Sequence, residues 1–337
     1  MWDKKSLIGY LLVIVSAVSF ACHNAIAVIS YHDGASPLTL ITFRMIFTLF
    51  ALALITKLFG YAIPLPRKAR NGALIVGVLN GIMAFCIMSA LKYVHVGLAI
   101  LVFYLYPIFT GLGAWLTRQE KLNLGIIVGL CGAFAGLALA LEFTGEAANT
   151  IGISLAAVAS VLMAITAVYS ARFLSTDNSL SVTFHMHISA VVLFLLLSAY
   201  WGEIDLPAST QGWLSFLGVP FLYTIAVTTF FGAIAYIGAV RTSLTMNLEP
   251  VASIVVGFVI LGQLFTPRQL LGAAIVIGAV TAVKWLGGKK TNPKLKNEKA
   301  LLGTFSFLNH KRSRCNTQAV TVPTKALVLP HRIGPPL

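Results

Sequence analysis

Charge is what this sequence has least of. Only 10% of its 337 residues are Asp, Glu, Lys or Arg, where soluble domains carry about 25%. With 58% hydrophobic residues and a mean hydropathy of +0.89, an ordinary soluble globular protein is excluded. A polytopic membrane protein fits. Cysteine is also scarce: Cys22, Cys86 and Cys131 lie in apolar runs and Cys315 near the C-terminus, with no C-x-x-C pair. Neither a disulfide framework nor a zinc site is written there, and the three thiols in apolar runs read as small core residues. Catalytic and nucleotide motifs are missing as well. H-E-x-x-H, G-x-S-x-G and G-x-x-x-x-G-K-[ST] do not occur, which argues against an intramembrane protease or serine hydrolase and against direct use of ATP. No enzymatic activity and no cofactor are expected. His185 and His187 are two apart, a spacing that points them nearly opposite ways on a helix and speaks against a shared metal.

What is present is a series of apolar runs near 20 residues long. Ten are found, near 7–29, 38–58, 72–91, 97–117, 122–141, 151–173, 181–200, 214–236, 242–262 and 269–287, each long enough to cross a bilayer as a helix. β-Barrel alternation is not seen. The expected fold is an all-α integral membrane bundle of ten transmembrane helices. The first run lacks a small-residue cleavage site and is expected to stay as the first span.

Basic residues set the direction. With the N-terminus inside, the inner side holds Lys4, Lys5, Lys57, Arg67, Lys68, Arg70, Arg118, Lys121, Arg172, Arg241, Lys284, Lys289 and Lys290, and the outer side only Lys92 and Arg268. The outer loops carry Asp33, Glu142, Glu146, Glu203 and Asp205. This predicts a multi-pass protein of the plasma (inner) membrane with both termini cytoplasmic. Residues 288–337 hold ten of the 24 basic residues and a single acid, Glu298. They are expected to form a basic, mostly disordered cytoplasmic tail that can meet anionic headgroups. No aromatic-interleaved RNA motif accompanies the charge, so nucleic acid is not expected as a partner.

Shifting the sequence by 143 superimposes the spans without a gap. Ile8-Gly9 falls on Ile151-Gly152, Tyr93 on Tyr236, Gly129 on Gly272, and Leu105-Tyr106-Pro107 on Leu248-Glu249-Pro250. Five spans per half is an odd number, so the second half enters the membrane inverted, an arrangement typical of secondary transporters. The expected halves are residues 7–141 and 151–287.

Residues 105–109 read L-Y-P-I-F and 248–252 read L-E-P-V-A. The turns after them read R-Q-E-K-L at 118–122 and G-Q-L-F-T at 262–266, and Gly129 and Gly272 follow. With Arg44 in T-F-R-M, these features resemble the drug/metabolite transporter (DMT) superfamily, and within it the EamA-type transporters of ten helices. The resemblance covers roughly residues 8–286. It implies a DMT/EamA-like fold of two inverted five-helix repeats and transport of small metabolites. It is nearly silent on substrate. Two departures stand out: Gln263 replaces the usual turn glutamate, and His187 is the repeat counterpart of Arg44.

Several polar groups fall inside the spans. A carboxylate in hydrocarbon costs several kcal/mol, and proline removes a backbone donor, so Glu249 followed by Pro250 marks a site or a lock between helices. Counting from the start of the ninth run, Glu249 lies roughly 10 Å from the inner interface. A helix opened there could bind an ammonium group or a proton, or the carboxylate could serve only to hold neighbouring helices. Pro107 is the matching kink of the first half. Arg44 could pair with a carboxylate or snorkel to the outer headgroups. His23, Asn24 and Asn80 could orient a polar ligand or bridge helices. Tyr104 and Tyr106, next to Phe103, could form an aromatic wall or simply pack. Gly125/Gly129 and Gly132/Gly136 allow a close helix approach, within the chain or in a homodimer.

These features predict a secondary transporter exporting small metabolites, such as amino acids, related amines or drugs, by alternating access with proton or other ion coupling. The alternatives are a receptor or assembly subunit that moves nothing and, less well supported, an intramembrane enzyme.

Overall fold

A computed structural model describes residues 4–60, 62–94, 96–141, 149–202, 204–261 and 266–286. The expectation for the basic tail falls outside these residues, as does most of the loop before Thr150. Apolar runs of this length fold as helices in lipid because only a helix satisfies its own backbone. Twelve helices follow one another: α1 (Lys4–His32), α2 (Pro37–Leu58), α3 (Arg67–Ala90), α4 (Val96–Phe103), α5 (Tyr106–Leu116), α6 (Leu124–Ala140), α7 (Thr150–Ser170), α8 (Ser179–Trp201), α9 (Thr210–Ile237), α10 (Ala239–Thr245), α11 (Leu248–Leu261) and α12 (Pro267–Leu286). Among the described residues there is no strand.

Among the described residues eight spans are long and apolar enough to cross a membrane, and the shorter apolar helices Leu124–Ala140 and Pro267–Ala282 complete ten. The fourth and ninth spans are each built from two helices, α4–α5 and α10–α11. The ninth span starts at Ala239 rather than 242. Glu249 therefore sits about 15 Å along its span rather than about 10 Å. The surface is apolar in the manner of a lipid-facing bundle: Phe50, Leu54, Leu196, Leu214, Phe221 and Val259 are all exposed.

Helix starts follow their sequence signals. Ser36 accepts from the Thr39 N–H at 3.2 Å, one residue before Pro37. Asn123 accepts from the Ile126 N–H at 2.9 Å. Thr266 and Gln269 cap each other reciprocally before α12, at 3.2 and 3.1 Å, which is a capping box.

The helix partnerships repeat across the halves. α1 packs on α9 as α7 packs on α3; α1 meets α11 as α7 meets α5; α2 lies on α9 as α8 lies on α3. The self-related pairs α2–α8 and α6–α12 also pack together. That is the pseudo-twofold arrangement of two inverted five-span halves.

The glycine pattern of the fifth span is used inside the chain. A Cβ on Gly136 would come within 2.8 Å of the Gly272 carbonyl oxygen, and one on Gly132 within 3.1 Å of the Ala279 Cβ. Only glycine lets α6 and α12 approach this closely.

The symmetry is not complete: α8 packs on α9 without a like packing of α2 on α3, and the broken spans also differ. α5 packs on α10, and Ala114, Val240, Leu244, Ile126, Leu130 and Val168 form a buried cluster around them. The counterpart pair, α4 and α11, does not pack in this way. On the packed side Glu120 accepts from the Val240 N–H at 3.3 Å and also bonds the Ala239 N–H. It lies against Gly238, whose φ of +85° suits a residue without a side chain and whose added Cβ would meet Glu120 Oε1 at 2.5 Å. At the other end of the bundle Asp33 accepts from the Ser209 N–H at 2.7 Å, and the Asp205 carbonyl accepts from the Ser36 N–H at 3.3 Å.

Candidate functional site

The two broken spans create the site. In α5 the second residue is Pro107, which has no N–H for the Phe103 carbonyl, so the chain turns at Tyr104 and Leu105 before restarting. In the second half Pro250 likewise leaves the Met246 carbonyl without its usual donor. The Glu249 N–H takes it instead, at 2.9 Å. Asn247 closes the end of α10 twice, its N–H donating to the Leu244 carbonyl at 3.2 Å and its side-chain amide to the same oxygen at 3.0 Å. Glu249 is thereby placed in the first turn of α11, where a carboxylate is favoured by the helix dipole.

Glu249 is only partly buried, although it lies in a span. Its carboxylate accepts from the Tyr104 hydroxyl and from Asn24 Nδ2, the latter at 3.1 Å through Oε1. Asn24 is 225 positions away in the chain. From Asn24 the hydrogen bonds continue. Its Oδ1 meets His23 Nδ1 at 3.0 Å, and His23 Nε2 meets Arg44 Nη1 at 2.8 Å. An arginine can only donate, so Nε2 accepts and the ring carries its proton on Nδ1. All three bonds then run one way: Arg44 to His23, His23 to Asn24, Asn24 to Glu249. A cation and a carboxylate from different helices are the two ends of one polarised chain through a neutral imidazole.

Arg44 does not snorkel. Its Nε is enclosed without a hydrogen-bond partner, and its guanidinium carbon stands 4.1 Å from the centroid of the Tyr223 ring. Tyr223, His23 and His187 around it are 6%, 6% and 3% exposed. His187 packs on Tyr223 with centroids 5.9 Å apart and holds the Thr183 carbonyl through Nδ1 at 2.8 Å. Among the described residues neither Arg44 nor Glu249 forms an ion pair; their polar contacts are those just given.

The aromatic residues before Pro107 form one cluster. Tyr104 lies 5.7 Å from Phe103 and 5.8 Å from Tyr106, ring centre to ring centre. Both tyrosines are buried, and Tyr104 alone reaches Glu249 through its hydroxyl. Asn80, on α3, is half-buried, and no hydrogen bond joins it to this network. Thus Glu249, Asn24, His23, Arg44 and Tyr104 come together, Tyr106 stands beside them, and Asn80 stands apart.

Sequence reasoning overlooked Tyr223, the platform under Arg44, and treated His187 only as a departure. The internal repeat held the signal: Tyr223 is the counterpart of Asn80 and His187 of Arg44 at the same offset of 143. It also overlooked Asn247, the counterpart of Tyr104, and the grip of Glu120 on α10.

Comparison with known proteins agrees with this architecture. A solved structure described only as the crystal structure of a protein superposes with a TM-score of 0.67 at 21% identity, covering 84% of this chain and 99% of its own. The fold is therefore one already seen in crystals. An uncharacterized transporter of Synechocystis sp. is 23% identical over 315 residues, 84% of this chain and 95% of its own. The uncharacterized transporter YyaM of Bacillus subtilis is 25% identical over 258 residues, 72% of this chain and 84% of its own. The sequence model of the EamA-like transporter family matches twice, over residues 7–141 and 150–285. One family unit in each half of a duplicated, inverted bundle accounts for nearly all of the described chain, which is a multi-pass membrane protein of the EamA-like transporter family.

Proposed function

We propose that this chain is a secondary transporter that exports small amine-bearing metabolites, amino acids or related amines, by alternating access, with Glu249 as the site of the ammonium group or of a coupled proton. The observation that carries this reading is the setting of Glu249. Its carboxylate is partly exposed within a span at a helix break, is held by two neutral donors, Asn24 and Tyr104, and has no basic ion-pair partner among the described residues. Neutral donors fix a carboxylate without neutralising it, which leaves its charge for a cation.

The broken symmetry supports alternating access. Packing of α5 on α10 without a like packing of α4 on α11 is what a bundle closed on one side would show, and exchanging the two halves' roles would open the other. The distribution of basic residues supports a packed side that faces the cytoplasm, with both termini there and the chain in the plasma membrane. A reporter active only outside, silent at the C-terminus and active in the 142–150 loop, is the expected pattern.

Purified protein in proteoliposomes tests the function by counterflow of labelled amino acids and amines across several pH values. Exchange of at least one class is expected, lost or made independent of pH by Glu249→Gln at normal folding. No exchange of any solute would favour a receptor or assembly subunit. Full activity with an unchanged pH profile in Glu249→Gln would reduce the E-P motif to a packing device.

A further inference from the structure

We propose that Arg44 is a second, anionic-group pole of the transport site, so that the solute is a zwitterion bearing a carboxylate and not a simple amine. The proposal rests on the functional reading above and adds the half of the ligand that Glu249 does not address.

Arg44 is a permanent cation in the interior of a membrane bundle. Such a charge is retained only if an anion balances it at some stage of the working cycle. None of the side chains that touch it is an anion. His23 is neutral by the hydrogen-bond logic of the chain, because Nε2 must stay unprotonated to accept from Arg44. His187 donates from Nδ1 to the Thr183 carbonyl, and Tyr223 offers the face of its ring. Among the described residues no carboxylate pairs with the guanidinium. Its donors are also underused: Nη1 serves His23, Nε has no partner, and Nη2 is neither bonded nor enclosed. A planar fork held on an aromatic face is preorganised for a carboxylate.

The polarised chain from Arg44 to Glu249 makes the two poles one charge system. With Glu249 ionised its formal charges cancel. A simple amine bound at Glu249 would leave Arg44 unbalanced, and a simple carboxylate at Arg44 would leave Glu249 unbalanced. A zwitterion satisfies both and brings no net charge into the membrane. Donation along the chain also aligns the Asn24 amide toward Glu249.

The test compares matched pairs. Amino acids and dipeptides are each measured beside the amine that lacks only the carboxylate, for example L-leucine beside 3-methylbutylamine, by thermal stabilisation and by counterflow with the full chain. The zwitterion of at least one pair should bind ten or more times tighter than its amine. Arg44→Gln should abolish that preference by weakening the zwitterion relative to its amine. Arg44→Lys, which keeps the charge and loses the fork, should do so in part and serves if the Gln variant does not fold. Amines that bind as well as their zwitterions, or Arg44 variants that weaken both partners equally, would overturn the proposal while leaving the transport reading intact. If no member of any pair binds or moves, the transport reading itself fails, and this proposal with it.

Discussion

Arg44 and His187, counterparts in the two halves of the chain, both pack on the ring of Tyr223, the guanidinium carbon at 4.1 Å and the imidazole at 5.9 Å from its centroid. The inverted repeat has thus brought two polar second-helix counterparts to a common platform, an arginine from one half and a histidine from the other. The ring face, not the hydroxyl, supports Arg44, since the hydroxyl reaches only Met45 Sδ at 3.9 Å. Tyr223→Phe should therefore leave solute affinity within about twofold. Tyr223→Leu should lower it about tenfold, as expected for loss of a desolvated cation–π contact worth about 1–2 kcal/mol. Counterflow titrations of both variants check this.

Tyr104 and Tyr106 look equivalent in sequence and differ in the site. The Tyr104 hydroxyl bonds Glu249. Hydrogen bonds to charged groups are worth about 1.5–3 kcal/mol, so Tyr104→Phe should weaken binding of an ammonium-bearing solute at least tenfold or shift the pH profile of exchange. Tyr106→Phe should change neither by more than a few-fold. Equal effects of the two variants would remove the hydroxyl of Tyr104 from the site.

Pro250→Ala restores a donor for the Met246 carbonyl, which the Glu249 N–H now takes at 2.9 Å. A continuous helix through 246–250 should slow the exchange of states several-fold and leave affinity nearly unchanged. Pre-steady-state counterflow separates the two quantities.

Glu120 supplies a pH prediction outside the spans. Burial pushes its carboxyl above the usual carboxylate range, opposed in part by the Val240 and Ala239 N–H groups and by Arg241; Tyr10 of α1 lies in the same field. A state that holds Glu120 against α10 therefore binds its proton more tightly than one that releases it to water. Proton-linked stabilisation of the packed state is complete below the ordinary carboxylate value and is lost as pH rises through the raised one. In a background without the native cysteines, a thiol placed at Leu244 should label faster as pH rises through that window. The response should flatten in Glu120→Gln.

Gly272 and Gly136 set the spacing of α6 and α12. A side chain at Gly272 would meet the Gly136 carbonyl oxygen at 2.5 Å and the Ala140 nitrogen at 2.6 Å, both backbone atoms that cannot step aside. Gly272→Leu should cost about 1–3 kcal/mol or more of stability, seen as a lower Tm. Gly132→Ala, which meets only the Ala279 Cβ at 3.1 Å, should cost far less.

The ten spans and the repeat were legible because hydrophobic length and a gapless offset are properties of consecutive residues. The prolines also announced where α4–α5 and α10–α11 break, though not that each span becomes two helices. Glu249 stood out by its cost in hydrocarbon. Its link to Asn24 did not, since a hydrogen bond between residues 225 apart leaves no local pattern. Arg44 was ambiguous for a related reason. Depth along a helix says nothing about which way a long side chain turns, and only the packing of Tyr223 and His187 decided it. Glu120 looked like an ordinary turn residue because its partner, the start of α10, comes from the other half of the chain.

The asymmetric packing of α5 on α10 bears on how such a cycle would acquire a direction. If the two halves were identical in sequence, a state closed at one end and its mirror closed at the other would have equal free energy, and the chain would rest in neither. Any bias must come from positions where the halves disagree. Glu120 against Gln263 and Arg44 against His187 are two such pairs in the sequence, with Glu120 beside the packed end and Arg44 within the site. Exchanging residues between counterpart positions, rather than deleting them, would then act as a dial on the resting orientation.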